Sequence, residues 1–146
     1  MRNLKGKGFS AEFADLEKSS EKITEEILEY KSYDGEDLLT IARIKPTAAV
    51  VEAWKEVEAA MIKLLTGTEF DTKDGRRQIS GFRIVKQLES LKLISRQESL
   101  VLHELREIRN RAAHSVDREV TPEQAEQYVD MALTFANKLN QMSPPY

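Results

Sequence analysis

Two capping boxes in the last third of the chain fix where two helices begin. The first is Ser-Arg-Gln-Glu at residues 95–98, and the second is Thr-Pro-Glu-Gln at residues 121–124. In a capping box, the hydroxyl of the first residue and the side chain of the fourth accept backbone N–H groups that the first helical turn leaves unpaired. Pro122 also suits the first helical position, because proline has no N–H to satisfy there.

Apolar residues after each box recur at steps of three and four residues, which is the spacing of one face of a helix. The first of these helices carries Val101, Leu105, Ile108 and Ala112 on that face. The second carries Ala125, Tyr128, Val129, Ala132, Phe135, Ala136 and Leu139. Both faces are predicted to be buried in the core of a bundle.

The same spacing predicts further helices upstream, and no segment is a convincing strand. These helices cover about residues 10–30, about residues 36–44, a segment from Pro46 to a stop at Gly67, and a segment capped by Ser80. The apolar residues of the third and fourth segments are Val50, Trp54, Val57, Met61, Leu64, Ile84, Leu88 and Leu91. Trp54 and the methionines are interpreted as core residues.

The pattern as a whole predicts an all-α protein with one core. Short links between successive helices favour antiparallel neighbours. We therefore expect an antiparallel four-helix bundle over residues 46–142. Residues 1–45 would form an N-terminal extension made of a basic head, an acidic helix and a short helix.

Composition excludes several classes of function. The chain has 146 residues, a formal net charge of -3, two histidines and no cysteine. Disulfides and cysteine chemistry are excluded, and two histidines are too few for most histidine-rich metal sites. We therefore predict no cofactor and no metal. The absence of cysteine and of any long apolar run suits a cytoplasmic protein.

The basic head admits two interpretations. Arg2, Lys5 and Lys7 precede the first helix. They are either an unstructured start, or the cytosolic flank of a membrane segment that lies upstream in the native protein. In the second case, the chain is the cytosolic domain of a membrane-tethered protein.

A group of polar residues stands at the end of the helix that begins at Arg96. Arg109, Asn110 and His114 occur in the segment Arg-Asn-Arg-Ala-Ala-His. Leu102, Arg106, Arg109 and Ala113 are expected on one flank of this helix, outside its core face. His103 is predicted to be a solvated surface residue. A second basic segment, Asp-Gly-Arg-Arg-Gln with Arg83 and Lys86, is either a surface loop or a patch that binds phosphates.

The segment at 109–114, followed by a loop and a last helix, resembles the Arg-Asn-x-x-x-His motif of HEPN domains (higher eukaryotes and prokaryotes nucleotide-binding). The resemblance covers roughly residues 46–140 and implies an all-α bundle. It further implies a homodimer formed through the motif helices, association with RNA, and a defence or stress context in which an antitoxin or a membrane-linked chain is the protein partner.

Two functions follow from the resemblance. One is a dimerisation and interaction module without cleavage. The other is a metal-independent endoribonuclease of a toxin or defence system, in which Arg109 stabilises the charged phosphorane, Asn110 orients the site and His114 acts as general acid or base. An imidazole suits proton transfer near neutral pH, and a guanidinium suits a phosphate.

A two-fold dimer through residues 96–113 would bring Arg109, Asn110 and His114 of both chains together. The paired arginines would then attract an anion, or be neutralised by Glu104 or Glu107. Free arginines favour the ribonuclease, whereas arginines held by carboxylates of their own chain favour a structural module.

Overall fold

The computed structural model describes residues 10–20, 36–68, 80–114 and 120–144. The helices in these ranges are α1 (Ser10–Ser20), α2 (Glu36–Ile44), α3 (Pro46–Leu64), α4 (Gly81–Ser90), α5 (Arg96–His114) and α6 (Pro122–Asn140). No strand occurs in the described ranges. The all-α prediction is confirmed for this part of the chain.

Both capping boxes form as predicted. The Ser95 N–H donates to Glu98 Oε1 at 2.8 Å, and the Glu98 N–H donates to Ser95 Oγ at 3.1 Å. Thr121 and Gln124 exchange the equivalent two hydrogen bonds, each of 3.1 Å. These bonds satisfy N–H groups that the first turns of α5 and α6 would otherwise leave unpaired.

The other predicted boundaries within the described residues are also confirmed. Ser80 Oγ accepts the Arg83 N–H at 3.3 Å and caps α4. Pro46 is the first residue of α3, and Gly67 follows that helix with a φ of 86°, which favours glycine. The proposed continuation of the first helix to about residue 30 lies outside the described residues.

The core forms where the apolar faces of the helices meet. Helices α3 and α6 pack along each other, and α2 packs against both. Helix α5 packs against α1, α3 and α4. Trp54 and Met61 are buried, as predicted for core residues, and Ala42 of α2 is fully buried with them.

Leu102 departs from the sequence prediction. It was expected on an exposed flank of α5, but it is fully buried. The prediction considered only one apolar face, whereas α5 has neighbouring helices on several sides. A helix enclosed in this way buries a wider arc than a single stripe.

A tight turn joins α4 to α5 and fixes how the two helices align. Lys92 adopts a φ of 61°, and the Leu93 N–H donates to the Leu88 carbonyl at 3.0 Å. The helices then run back along each other, and the Ser99 hydroxyl donates to Glu89 Oε1 at 2.9 Å. The start of α4 is thereby set beside the middle of α5.

Helix α6 is bound to α5 through a buried tyrosine. The Tyr128 hydroxyl donates to the Leu105 carbonyl at 2.7 Å, and Tyr128 is fully buried. Burial raises the pKa of Tyr128 well above its usual value, while the charge of Arg109 acts in the opposite direction. The phenol is therefore a neutral donor near neutral pH.

A second buried link joins the same two helices. One carboxylate oxygen of Glu98 caps α5, and the other forms an ion pair with Lys138 of α6. The side chains are 5% and 16% exposed, respectively. Removing the lysine would leave a buried carboxylate without its cation, which is costly.

We predict that Lys138→Met lowers the free energy of unfolding by about 3 kcal/mol, because the charge of Glu98 then stays buried without a partner. The matched control is Lys55→Met, which removes an ion pair with Glu52 whose side chains are 61% and 50% exposed. That change should cost about 0.5 kcal/mol or less. Urea unfolding monitored by circular dichroism measures both values, and equal losses in the two variants would contradict the prediction.

Candidate functional site

The three motif residues lie in the last two turns of α5. Arg109 Nη1 donates to Asn110 Oδ1 at 3.3 Å. Arg109 and Asn110 are half-buried, and His114 is exposed. Asn110 and His114 are four residues apart, so they share one side of the helix. The structure thus gives direct contact between Arg109 and Asn110, with the imidazole one turn further on.

The Arg109 guanidinium retains hydrogen-bonding capacity. Its Nε is buried without an acceptor, and none of the described carboxylates lies within salt-bridge distance of it. A buried charged donor without a partner costs free energy that an incoming anion would recover. This end of α5 is therefore chemically suited to bind an anion.

The two acidic residues that were candidates to neutralise Arg109 have other partners. Glu107 accepts from Arg111 Nε at 3.2 Å. Glu104 accepts from the Ser19 hydroxyl of α1. Burial raises the pKa of Glu104, and the Ser19 hydrogen bond partly offsets this. Neither carboxylate is thus bound to Arg109.

Helix α1 covers the side of α5 that carries these acidic residues. Phe13 and Leu16 are buried in the core, and Glu12 forms an ion pair with Arg111. A cleft of about 190 Å³ between the helices is lined by Ala11, Glu12, Asp15, Glu104, Glu107 and Arg111. Because four of these six side chains are acidic, this side of α5 is unsuited to an anion.

A different side of α5 carries a basic and aromatic group that we call the Phe82 cluster. It consists of Phe82 and Lys86 of α4 with His103 and Arg106 of α5. The ring centroids of Phe82 and His103 are 5.0 Å apart. Lys86 Nζ and Arg106 Cζ lie 5.6 and 5.8 Å from the Phe82 ring centroid. The two cations are within the range of cation–π attraction.

The prediction that His103 is a solvated surface residue is wrong. The side chain is half-buried beside Phe82, and its Nδ1 has no hydrogen-bond partner among the described residues. Burial lowers the pKa of His103, and the nearby charge of Arg106 lowers it further. The helical periodicity of α5 alone does not show that Phe82 of α4 lies beside His103.

Phe82 itself was missed in the sequence. One signal was available: Phe82 lies about 160° around α4 from Ile84, so it is opposite the buried face that Ile84 and Leu88 define. An aromatic residue on the polar side of an amphipathic helix needs a specific reason to be there. Its relation to His103, by contrast, depends on how two helices align.

The charges of the Phe82 cluster are not balanced locally. The nearby carboxylate of Glu89 accepts from the Ser99 hydroxyl and pairs with Arg96 at 3.4 Å. No carboxylate in the described ranges pairs with Lys86 or Arg106. The cluster is therefore a local positive region on a chain with a net charge of -3.

The Phe82 cluster and the motif are neighbours along α5. Arg106 and Asn110 are four residues apart, which brings them onto the same side of the helix with a rise of about 6 Å between them. Basic and amide side chains thus continue from the middle of α5 to its end.

The fold and this site define an all-α bundle with basic and amide side chains at the end of α5. The chain belongs to the family described as a domain of unknown function (DUF4145), whose model matches residues 36–144. The matched range begins at α2 and excludes α1. No curated protein and no solved structure matches the chain. None of the described helices has both the length and the apolar character needed to cross a membrane.

We predict that the His103 ring titrates below 6.5, the ordinary value for histidine, because burial and Arg106 disfavour the imidazolium. Arg106→Gln should raise the midpoint, and Glu89→Gln should lower it further. NMR titration of the imidazole protons measures this in a chain with only two histidines. His114→Gln removes the other signal and assigns the one that remains. A midpoint at or above 6.5 would contradict the prediction.

The same shift predicts how stability depends on pH. Since the pKa of His103 is lower in the folded state, the unfolded chain binds more protons below pH 6.5. The contribution of His103 to the free energy of unfolding is therefore full above pH 6.5 and falls as the pH is lowered through that value. Urea unfolding at a series of pH values should give a shallower decline for His103→Gln than for the wild type.

Proposed function

We propose that this chain is a HEPN-like dimerisation module that holds RNA at Arg109, Asn110 and His114, in a cytoplasmic defence or stress system of the bacterial type. One observation carries the proposal: the half-buried Arg109 guanidinium contacts Asn110, and its buried Nε has no acceptor among the described residues. The resemblance of residues 109–114 to the HEPN motif supports a module of the HEPN kind.

The state of Arg109 favours an external anion over a structural role. An arginine that only stabilised the fold would be expected to pair with a carboxylate or a carbonyl of its own chain. Glu104 and Glu107, the nearest candidates on α5, bind Ser19 and Arg111 instead. A phosphate would give Arg109 a charged acceptor, which none of the described carboxylates provides.

The proposed dimer forms through a row of residues that we call the α5 strip: Leu100, Glu107, Asn110 and His114. The strip runs along the edge of α1, since Glu107 and Leu100 also line clefts that α1 forms with α5. Leu100 is 40% exposed, and Glu107 and His114 are also exposed. Because Leu102 is buried, the interface moves from the expected flank to this strip.

A second copy of the chain fits the α5 strip by charge. In an antiparallel two-fold crossing centred between Asn110 and Arg111, Glu107 of one chain stands opposite His114 of the other. The same crossing brings Asn110 of each chain near Arg111 of the other. Acidic and basic positions then alternate across the axis.

We predict a dimer that Glu107→Arg weakens at least tenfold, since the change sets an arginine against His114 of the other chain. Glu52→Arg is the matched control, because Glu52 and Glu107 each pair with a cation of their own helix and each side chain is 50% exposed. Sedimentation velocity across a range of micromolar concentrations measures the dissociation constant. A wild type that is monomeric throughout this range would refute the dimer.

The second candidate function is a metal-independent endoribonuclease, which is favoured because none of the described carboxylates pairs with Arg109. The ribose 2′-hydroxyl would attack the adjacent phosphorus while one His114 imidazole takes the hydroxyl proton. The P–O5′ bond then breaks, and an imidazolium donates a proton to the leaving oxygen. The products are a 2′,3′-cyclic phosphate and a 5′-hydroxyl. A dimer supplies both histidines, and Arg109 stabilises the charge on the phosphorane.

If this candidate is correct, purified protein cleaves RNA in EDTA, and His114→Ala and Arg109→Ala each lower the rate by about 100-fold or more. Arg43→Ala is the control, because Arg43 is an arginine of α2 that is 70% exposed and pairs with Glu126. Cleavage of a labelled RNA resolved on a denaturing gel measures the rates. Equal traces for the wild type and all three variants would leave the module without cleavage.

A further inference from the structure

We infer that the Phe82 cluster is a binding surface for single-stranded nucleic acid: a base stacks on Phe82 while Lys86 and Arg106 bind the neighbouring phosphates. The inference deepens the proposed function and rests on it in part, because it gives the RNA of the motif site a second point of attachment. The evidence for the cluster is nevertheless independent of the motif.

The Phe82 ring has the exposure that stacking requires. Phe82 is 46% exposed, whereas Ile84 and Val85, on the buried face of α4, are covered almost completely. His103 packs beside the ring at 5.0 Å with an interplanar angle of 36°. One part of the ring is thus supported by protein while the rest is open. A base stacked on such a ring contributes about 1–3 kcal/mol.

The cations beside the ring complete the chemistry of a nucleotide site. Lys86 and Arg106 both lie within 6 Å of the ring centroid, one from each helix. Glu89, the acidic residue nearby, is bound to Ser99 and Arg96. An exposed aromatic ring, flanked by cations that pair with none of the described carboxylates, matches both the face of a base and the charge of its phosphate.

Backbone geometry at the start of α4 favours this position of Arg106. A Cβ atom at Gly81 would lie 3.1 Å from Arg106 Cδ and 3.4 Å from Arg106 Nε. Glycine therefore lets the arginine side chain pass close to the start of α4 and reach Phe82. A side chain at position 81 would require Arg106 to shift by a few tenths of an ångström.

A protein partner fits the cluster less well than nucleic acid. Among the described residues, the other exposed large apolar side chains are Ile41 and Ile44 of α2 and Leu100 of α5, so Phe82 is the one exposed aromatic side chain in this part of the chain. Protein interfaces generally have a contiguous apolar centre. A single ring with a basic surround instead resembles a stacking platform.

Position along α5 links the cluster to the motif. Arg106 belongs to the cluster and lies one helical turn before Asn110, at a rise of about 6 Å. A strand that stacks on Phe82 can therefore continue towards Arg109 and His114. Bases bound at Phe82 would set which phosphate reaches the motif.

The test is fluorescence anisotropy with fluorescein-labelled single-stranded oligonucleotides of mixed sequence, one of RNA and one of DNA, in 50 mM to 200 mM salt. We expect Phe82→Ala to weaken binding by about tenfold or more, and Phe82→Tyr to retain it, because stacking requires only a ring. Lys86→Gln and Arg106→Gln should each reduce the slope of log K against log salt by about 0.7. Lys92→Gln, an exposed lysine of the α4–α5 turn, is the matched control and should bind like the wild type.

Circular dichroism and thermal unfolding establish that each variant is folded. If Phe82→Ala does not fold, the exposed Lys86→Gln variant and its salt slope still test the inference. Binding should also raise the titration midpoint of His103, since a phosphate nearby stabilises the imidazolium.

The inference is wrong if the wild type binds neither oligonucleotide, if Phe82→Ala binds as tightly as the wild type, or if a polyglutamate peptide binds with equal affinity and the same dependence on Phe82. The last result would identify a surface for acidic proteins. Loss of the dimer and of any dependence on Arg109, with Phe82-dependent binding intact, would refute the proposed function alone. A normal dimer whose RNA binding does not depend on Phe82 would refute this inference alone.

Discussion

The positions of the side chains in the candidate site depend on the burial of α5 among its neighbouring helices. The hydrogen bond from Tyr128 to the Leu105 carbonyl fixes α6 to this helix one turn before Arg109. Packing against α1, α3 and α4 holds the other sides. A helix fixed in rotation and in height can hold a polar side chain in an energetically unfavourable position. Arg109 is an example, because its buried Nε has no hydrogen-bond partner among the described residues. The core supplies the free energy that this arrangement costs.

Local signals account for most of the fold that could be predicted. The capping boxes at Ser95 and Thr121 act through residues three positions apart, so the sequence contains all of their partners. The buried faces of α3 and α6 could be predicted equally well, because the apolar residues of each helix form one broad stripe along it. Leu102 was misplaced because its burial depends on helices that are distant in sequence. Helical periodicity identifies one buried face but does not give the number of neighbours.

The site divides in the same way. Arg109, Asn110 and His114 lie within six residues, so a motif suffices to bring them together. The Phe82 cluster instead joins α4 to α5, and its geometry follows from the antiparallel alignment of the two helices. That is why His103 was predicted to be solvated, although Phe82 covers part of it. Helix α1 adds a third element, which gives α5 an acidic side and a basic side.

The turn at Lys92 has a consequence for how such a site can be gained or lost in evolution. The hydrogen bond from the Leu93 N–H to the Leu88 carbonyl fixes the end of α4. The place of every other residue of α4 is therefore set by its distance in sequence from that end. A single residue inserted between Phe82 and Leu88 would rotate Phe82 by about 100° relative to the packed end of the helix and carry it away from His103. A substitution at Lys86 would alter only one charge. Among relatives of this chain, a change in the length of α4 should therefore remove the cluster. The length of α4 should be a better indicator of the cluster than the identity of any one basic residue.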